Sequence, residues 1–262
     1  MTTQWQVLKF GGTSVGSVEN MTNVKDIIND GQQKIIVLSA MSGTTNALVE
    51  ITESIANNEA EKTIVQINKL LNHYFETVDK LLTNQVLNED AKVYINEIFD
   101  FLVDCTYESY STLLANEIIA QGELLSTYIF NSFLTQKGIN STLLPALNFM
   151  RIDKTQEPDF FYIKQHLNMV LENAPEASIY ITQGFICIDD QGKISNLQRG
   201  GSDYTATILG AAINAEEVQI WTDIDGMQNN DPRYVENTRP ISNLSYDEAA
   251  ELAYFGAKIL HP

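Results

Sequence analysis

The chain is poor in the residues that staple, ligate and relay. Two cysteines, Cys105 and Cys187, stand in 262 residues, too few and too far apart for a disulfide framework or a zinc site, so both read as buried small hydrophobes. There are three histidines, and His73 and His166 fall within helical patterns where a solvated side chain is the default. Positive charge is also scarce: 16 Lys and Arg against 34 Asp and Glu leave a net charge of −18. The summed field repels nucleic acid and anionic membrane, so neither is expected as a partner. No apolar run is long enough to span a bilayer, and the N-terminus, Met-Thr-Thr-Gln, carries no secretory signal. A soluble, cytoplasmic protein is expected. Internal repeats, low-complexity segments and linker-like stretches are absent too.

What is present is an ordinary 44% hydrophobic content and enough length for a sizeable core. Trp5 to Lys9 reads as a first strand. Val18, Met21, Val24, Ile27 and Ile28 then recur at helical spacing, with Ser17 as N-cap and Gly31 at the far end. Lys34 to Ser39 is a short continuous apolar run, the pattern of a strand covered on both faces, and the resulting βαβ unit implies a parallel sheet.

Between first strand and first helix lies Lys9-Phe10-Gly11-Gly12-Thr13-Ser14-Val15-Gly16. Such a turn can present backbone N–H groups and a helix N-terminus to an anion, with Lys9 as a mobile positive charge. A plain strand-to-helix turn with a solvated lysine fits the same residues. A second Gly- and hydroxyl-rich turn, Ser39 to Asn46, leaves the second strand. Ligands of open parallel sheets collect at the carboxyl ends of strands, so both turns could face one cleft.

Thr44 to Gln121 contains neither glycine nor proline, and its apolar residues recur at helical intervals, which predicts a helical insertion over about 46–136. Further along, the pattern predicts a strand at Ser141–Leu147 that Pro145 makes irregular or an edge, a helix at Phe160–Glu172, and a strand at Ser178–Thr182. A hairpin across Asp189-Asp190-Gln191-Gly192 follows, then a small-residue helix from Gly200-Gly201 to about Ile213 and a strand at Val218–Thr222. Ser245 and Glu248 form a capping-box pattern before a last helix. One α/β domain covering 1–262 is the simplest account.

Several separated strings, taken in order, resemble the catalytic domain of aspartate kinases, within the amino acid kinase family. They are Lys9 to Val15, Ser39 to Asn46, Gly122-Glu123, Gln183-Gly184-Phe185, Arg199-Gly200-Gly201-Ser202-Asp203-Tyr204-Thr205, Trp221 to Gly226, Asp231-Pro232-Arg233 and Phe255 to Pro262. The resemblance implies a three-layer α/β/α sandwich around a mainly parallel sheet. It also implies transfer of the γ-phosphoryl group of ATP, with Mg2+, to the side-chain carboxylate of L-aspartate. The turn is not a Walker A loop, because Lys9 precedes its glycines where the P-loop lysine follows them. Members of the family continue into regulatory ACT domains, and some into a homoserine dehydrogenase. Neither is found in these residues, so a catalytic domain of a longer polypeptide is expected, with a homo-oligomer formed in the full-length protein through the C-terminal domains.

The resemblance also implies roles. Lys9, Gly11, Gly12 and Ser14 would meet the phosphates, Lys9 would stabilise the transition state, Lys258 would approach the nucleotide from the far end of the chain, and Asp203 would orient Lys9 or help place magnesium, with Lys9, Asp203 and Lys258 as the catalytic residues. Thr222, Asp223 and Arg233 would line the nucleotide side. Ser39, Thr45, Glu123, Arg199 and Ser202 would hold the amino acid, Arg199 gripping a carboxylate and Glu123 the ammonium group. No residue is assigned as a metal ligand. Each has a plainer reading: Lys258 as a lysine complementing a helix C-terminus, Asp203 as a first-turn helix acid, Glu123 as a solvated helix residue, Trp221 as packing. Gln198 stands where many members have Gly, which bears on adenine-side contacts. Another amino acid kinase, acting on glutamate, acetylglutamate or carbamate, and a non-catalytic binding module remain the alternatives.

The chemistry suits such a site. An aspartate carboxylate, with a pKa of about 3.9, is already a nucleophile at neutral pH, so no histidine base is needed. An anion must attack a polyanion, and catalysis reduces to positioning and to neutralising charge.

Overall fold

The computed structural model describes residues 5–198, 200–223, 226–230 and 234–254. The chain opens with β1 (Gln6–Phe10), α1 (Val18–Ile28) and β2 (Lys34–Leu38). Four helices follow: α2 (Thr44–Ala56), α3 (Ala60–Leu81), α4 (Gln85–Cys105) and α5 (Thr112–Gln136). Then come β3 (Ser141–Leu144), α6 (Phe160–Asn173), β4 (Ile179–Gln183), the hairpin β5 (Ile186–Ile188) and β6 (Ile194–Asn196), α7 (Gly201–Ile213), β7 (Glu217–Trp221) and α8 (Tyr246–Tyr254).

Five strands form one parallel sheet in the order β3-β4-β2-β1-β7. The continuous apolar run of β2 takes a central place and is buried at all five positions, while β3, which stops before Pro145, forms an edge. The period-2 alternation of the strands sorts their side chains between two layers. Leu8, Phe10, Ile36, Leu38, Ile179 and Ile181 join a core with helices α1 to α5. Val7, Ile35, Val37 and Tyr180 join a second core with α6 and α7. Helices on both faces of a parallel sheet make the expected α/β/α sandwich.

The helix predicted from Val18 is capped by Ser17, whose hydroxyl accepts from the Asn20 N–H at 3.2 Å. The Ser245–Glu248 capping box forms as well, with Glu248 N–H donating to the Ser245 hydroxyl and Ser245 N–H to the Glu248 carboxylate. Cys105 and Cys187 are buried and free. Two boundaries differ from the sequence reading. Thr45 and Asn46, read as turn residues, lie in the first turn of α2, because Gly43 in a left-handed conformation starts the helix at Thr44. In the helical region, α5 packs on β2, β3, β4 and β6, so the last part of the expected insertion belongs to a layer that covers the sheet. No described helix is long and apolar enough to cross a membrane.

Candidate active site

The carboxyl ends of β1, β2 and β4 are tied together by backbone hydrogen bonds that continue past the strands. Ser39 N–H donates to Phe10 O at 3.2 Å, Ser42 N–H to Gly12 O at 3.0 Å and Gly184 N–H to Leu38 O at 2.9 Å. A Cβ on Gly12 would stand 2.7 Å from the Ala40 carbonyl oxygen, so only glycine lets the two turns approach this closely. The turns predicted to share one cleft are joined backbone to backbone.

Over these ends lies a cavity of about 260 Å3 lined by Lys9, Ser39, Thr45, Glu123, Ser202 and Asp203, together with Phe185 and Gln198. Alternation along β1 turns Lys9 toward α7, and its Nζ meets Asp203 Oδ1 at 2.7 Å. The two side chains are 11% and 18% exposed, shielded from bulk water yet reachable from the cavity. Asp203 lies in the first turn of α7, which is where a carboxylate also complements the helix dipole. The plainer role of Asp203 and the pairing with Lys9 are thus compatible. Ser39 Oγ donates to Ser202 Oγ at 2.9 Å, joining the β2 and α7 sides.

Two helices open on this cavity, α2 and α7, and both begin after a left-handed glycine, Gly43 and Gly200, with no side chain capping the first turn. At α1, α4, α5 and α6 a side chain from Ser17, Asn84, Ser111 or Asp159 fills that role. At α2 the Thr44 and Ala47 N–H groups donate to Met41 O and Gly43 O, leaving those of Thr45 and Asn46 for an anion, where the helix dipole adds to the attraction; at α7 the Gly201, Asp203 and Tyr204 N–H groups donate to Gln198 O and Gly200 O.

Glu123 enters from α5. A Cβ on its neighbour Gly122 would lie 2.9 Å from Ala40 Cβ and 3.2 Å from Thr44 Cγ2, so glycine brings α5 against the β2–α2 turn. Glu123 is 3% exposed; one carboxyl oxygen accepts from the Ala40 N–H at 3.1 Å and the other has no hydrogen-bond partner. Burial pushes its carboxyl up to about 8 against the lowering effect of the Ala40 N–H. The solvated-helix reading of Glu123 fails, since the residue is buried and borders the cavity.

The nucleotide-side residues separate in space. Ser14, Thr222 and Asp223 line a second cavity of about 230 Å3 with Phe10, Asn20, Asn23 and Trp221. It lies across β1, on the face to which Phe10 points, and Trp221 both lines it and stacks on Phe10 at 5.8 Å. Gly11 lines neither cavity, and a Cβ there would stand 3.4 Å from Lys9 Nζ. Gln198, expected to bear on adenine-side contacts, instead borders the cavity of Lys9 and Glu123. Arg199, Arg233 and Lys258 lie outside the described residues.

Sequence reasoning missed the supports of Glu123. Thr127 Oγ1 donates to the Glu123 carbonyl at 2.8 Å and accepts from Gln183 Nε2 at 2.7 Å, and Gln183 Oε1 accepts from the Ala146 N–H at 2.8 Å. The fully buried Tyr74 hydroxyl shares a 3.0 Å hydrogen bond with Thr44 Oγ1, beside Thr45. Tyr74 sits in an apolar stripe with Ile67, Leu70 and Val78, which hides it as ordinary core.

This geometry has counterparts of known family. The model of the Amino acid kinase family matches residues 4–262. The chain belongs to the amino acid kinase family. Among curated members, the lysine-sensitive aspartokinase 3 of Escherichia coli is 34% identical over 98% of this chain and 57% of its own. Aspartokinase 1, chloroplastic, of Arabidopsis thaliana is also 34% identical, with 98% and 46% covered. This family member thus spans about half the length of the relatives it matches. The E. coli aspartokinase III crystal structure in complex with aspartate and ADP aligns with a TM-score of 0.85 at 32% identity, over 99% of this chain and 58% of that one.

Proposed function

We propose that this kinase domain transfers the γ-phosphoryl group of ATP to the side-chain carboxylate of L-aspartate, giving 4-phospho-L-aspartate. The observation that carries the reading is the joint lining of one cavity by the Lys9–Asp203 pair and the buried Glu123 carboxyl. That cavity offers a cation for a phosphoryl group and a carboxyl for an ammonium group at opposite roles in one space. The likeness to an aspartokinase whose structure holds aspartate and ADP supports it.

In this reading Glu123 and the hydroxyls of Ser39, Thr45 and Ser202 hold aspartate so that its side-chain carboxylate faces the γ-phosphorus. A carboxylate oxygen forms the new O–P bond, the bond to the β,γ-bridging oxygen breaks, and ADP leaves with that electron pair. Lys9 neutralises charge on the transferring group. Asp203 keeps the Lys9 ammonium from swinging into solvent, and the α2 N-terminus supplies backbone donors. Arg199, Arg233 and Lys258 are proposed, from the resemblance, as further cations for carboxylate and phosphate.

Among the described residues no cluster of three or more His, Cys, Asp or Glu side chains is placed to hold a metal. The site fits a magnesium ion that arrives on the nucleotide, because Mg2+ takes one or two carboxylates and fills its remaining positions with phosphate oxygens and water. Asp203 is the carboxylate that would meet it, and the ion would lessen the charge ATP brings to a protein of net charge −18. The same reading carries a cytoplasmic location and puts oligomer assembly in the full-length protein.

Trapping the acyl phosphate as a hydroxamate, with ATP, magnesium and each candidate acid in turn, tests the substrate. Hydroxamate from aspartate is expected; formation with glutamate and not with aspartate would overturn the proposal.

A further inference from the structure

The cavity holds a carboxyl group whose surroundings suit an acid better than an anion. The Glu123 carboxyl accepts one hydrogen bond, from the Ala40 N–H at 3.1 Å, with its own backbone N–H as the one further group favouring the charged form, whereas a buried carboxylate ordinarily needs several donors or a cation. Its second oxygen is buried and has no hydrogen-bond partner. The elements packed around it add little positive charge. From α3 comes the fully buried Tyr74, whose phenol burial holds in the neutral form, with the nearby Glu123 adding to that. The β2–α2 turn contributes Ser39, Ala40, Thr44 and Thr45, none of which titrates. From β1 comes Lys9, the cation of the cavity lining, and it is committed to Asp203 of α7 at 2.7 Å. Asp203 is itself a carboxylate, and Arg199 lies outside the described residues.

We propose that Glu123 is a neutral carboxylic acid while the cavity is empty and releases its proton when an amino acid binds, so that recognition of the substrate ammonium is coupled to one proton. This rests on the reading that the cavity takes an amino acid. The step balances simply. The Glu123 O–H bond breaks, the proton passes to water or buffer, and the carboxylate left behind pairs with an ammonium group that arrives already charged. A buried group pushed up to about 8 matches the geometric expectation, and the arriving cation lowers it again.

The arrangement gives selectivity. An acceptor without an ammonium group, such as succinate, leaves Glu123 protonated and gains no ion pair. Apparent affinity for aspartate should rise with pH until Glu123 is ionised in the free protein, and level off above that.

Titration calorimetry with L-aspartate in buffers of different ionisation enthalpy counts the proton. Near pH 7 the expected release is close to one per aspartate bound, falling toward none about two pH units higher. Glu123→Gln should bind aspartate at least tenfold more weakly and release none. An infrared band of a protonated carboxyl should be present in the free protein at pH 7, absent in Glu123→Gln, and lost on saturation with aspartate. A buffer-independent binding enthalpy at pH 7, the same proton count in Glu123→Gln, or no such band in the free protein would overturn the inference and leave the substrate reading intact. Failure of aspartate to bind, with the band present, would instead overturn the substrate reading and remove the coupling with it.

Discussion

Replacing Gly122 by alanine tests how tightly the acceptor side is built. The new methyl group would meet Ala40 Cβ at 2.9 Å, Thr44 Cγ2 at 3.2 Å and Leu48 Cδ1 at 3.3 Å. Thr44 and Leu48 have rotamers to turn, but the Ala40 methyl is fixed to its backbone, so α5 and the β2–α2 turn must separate. Overpacking of this kind costs about 1–3 kcal/mol, and the shortest contact being immovable argues for the upper end. Alanine in a helix interior returns roughly 1 kcal/mol over glycine, leaving a net loss of about 2 kcal/mol. For a chain of this size that is a fall in Tm of roughly 4–8 °C. The same separation stretches the Ala40 N–H to Glu123 bond, already 3.1 Å. A hydrogen bond to a charged group is worth about 1.5–3 kcal/mol, so KM for aspartate should rise on the order of tenfold or more while KM for ATP changes little. Thermal melting and initial rates at varied aspartate measure both. An unchanged or raised Tm with wild-type KM would show that α5 has room to spare and that glycine is not required there.

Other outcomes follow from the same geometry. Lys9→Ala should lower kcat by something on the order of 10² to 10³ through lost charge stabilisation; wild-type turnover in steady-state kinetics would remove Lys9 from the reaction centre. Gln198→Gly should raise Tm slightly, because Gln198 holds φ +59 and relief of a left-handed conformation offers about 1 kcal/mol, partly offset by the chain entropy of glycine; a lower Tm would mean that its side chain supports the cavity. Glu123→Gln should stabilise the protein at alkaline pH. The folded state raises this carboxyl from 4.5 to about 8, so its contribution is full below the lower value and is lost as pH rises through the upper one. The Tm advantage of the variant should therefore grow across that interval and level off above it; a pH-independent difference would refute the assignment.

How much was legible depends on where the information lies along the chain. The apolar run at Lys34 to Leu38, the period at Val18 to Ile28 and the Ser17 cap are local signals, and the corresponding elements form where they were read. The start of α2 was read late because a left-handed Gly43, and no capping side chain, begins the helix. Lys9, Ser39, Glu123 and Asp203 are far apart in sequence and meet because β1, β2, α5 and α7 converge at one end of the sheet. No spacing rule reports that convergence; the ordered motifs were what tied those residues together. The Ala146–Gln183–Thr127–Glu123 chain was invisible for the same reason, as its partners come from α5, β4 and the turn after β3 and no short pattern marks them. The left-handed backbone at Phe185 and Gln198, φ +67 and +59, is likewise held by tertiary contacts at non-glycine positions, where sequence alone gives no sign of it.

The most direct test of the central claim is a crystal structure of the protein soaked with L-aspartate. The expected density lies in the cavity between Lys9 and Glu123, with the ammonium nitrogen within hydrogen-bond distance of the unpartnered Glu123 oxygen and the side-chain carboxylate turned toward Lys9. Aspartate bound elsewhere, or bound here with its ammonium group away from Glu123, would contradict the account.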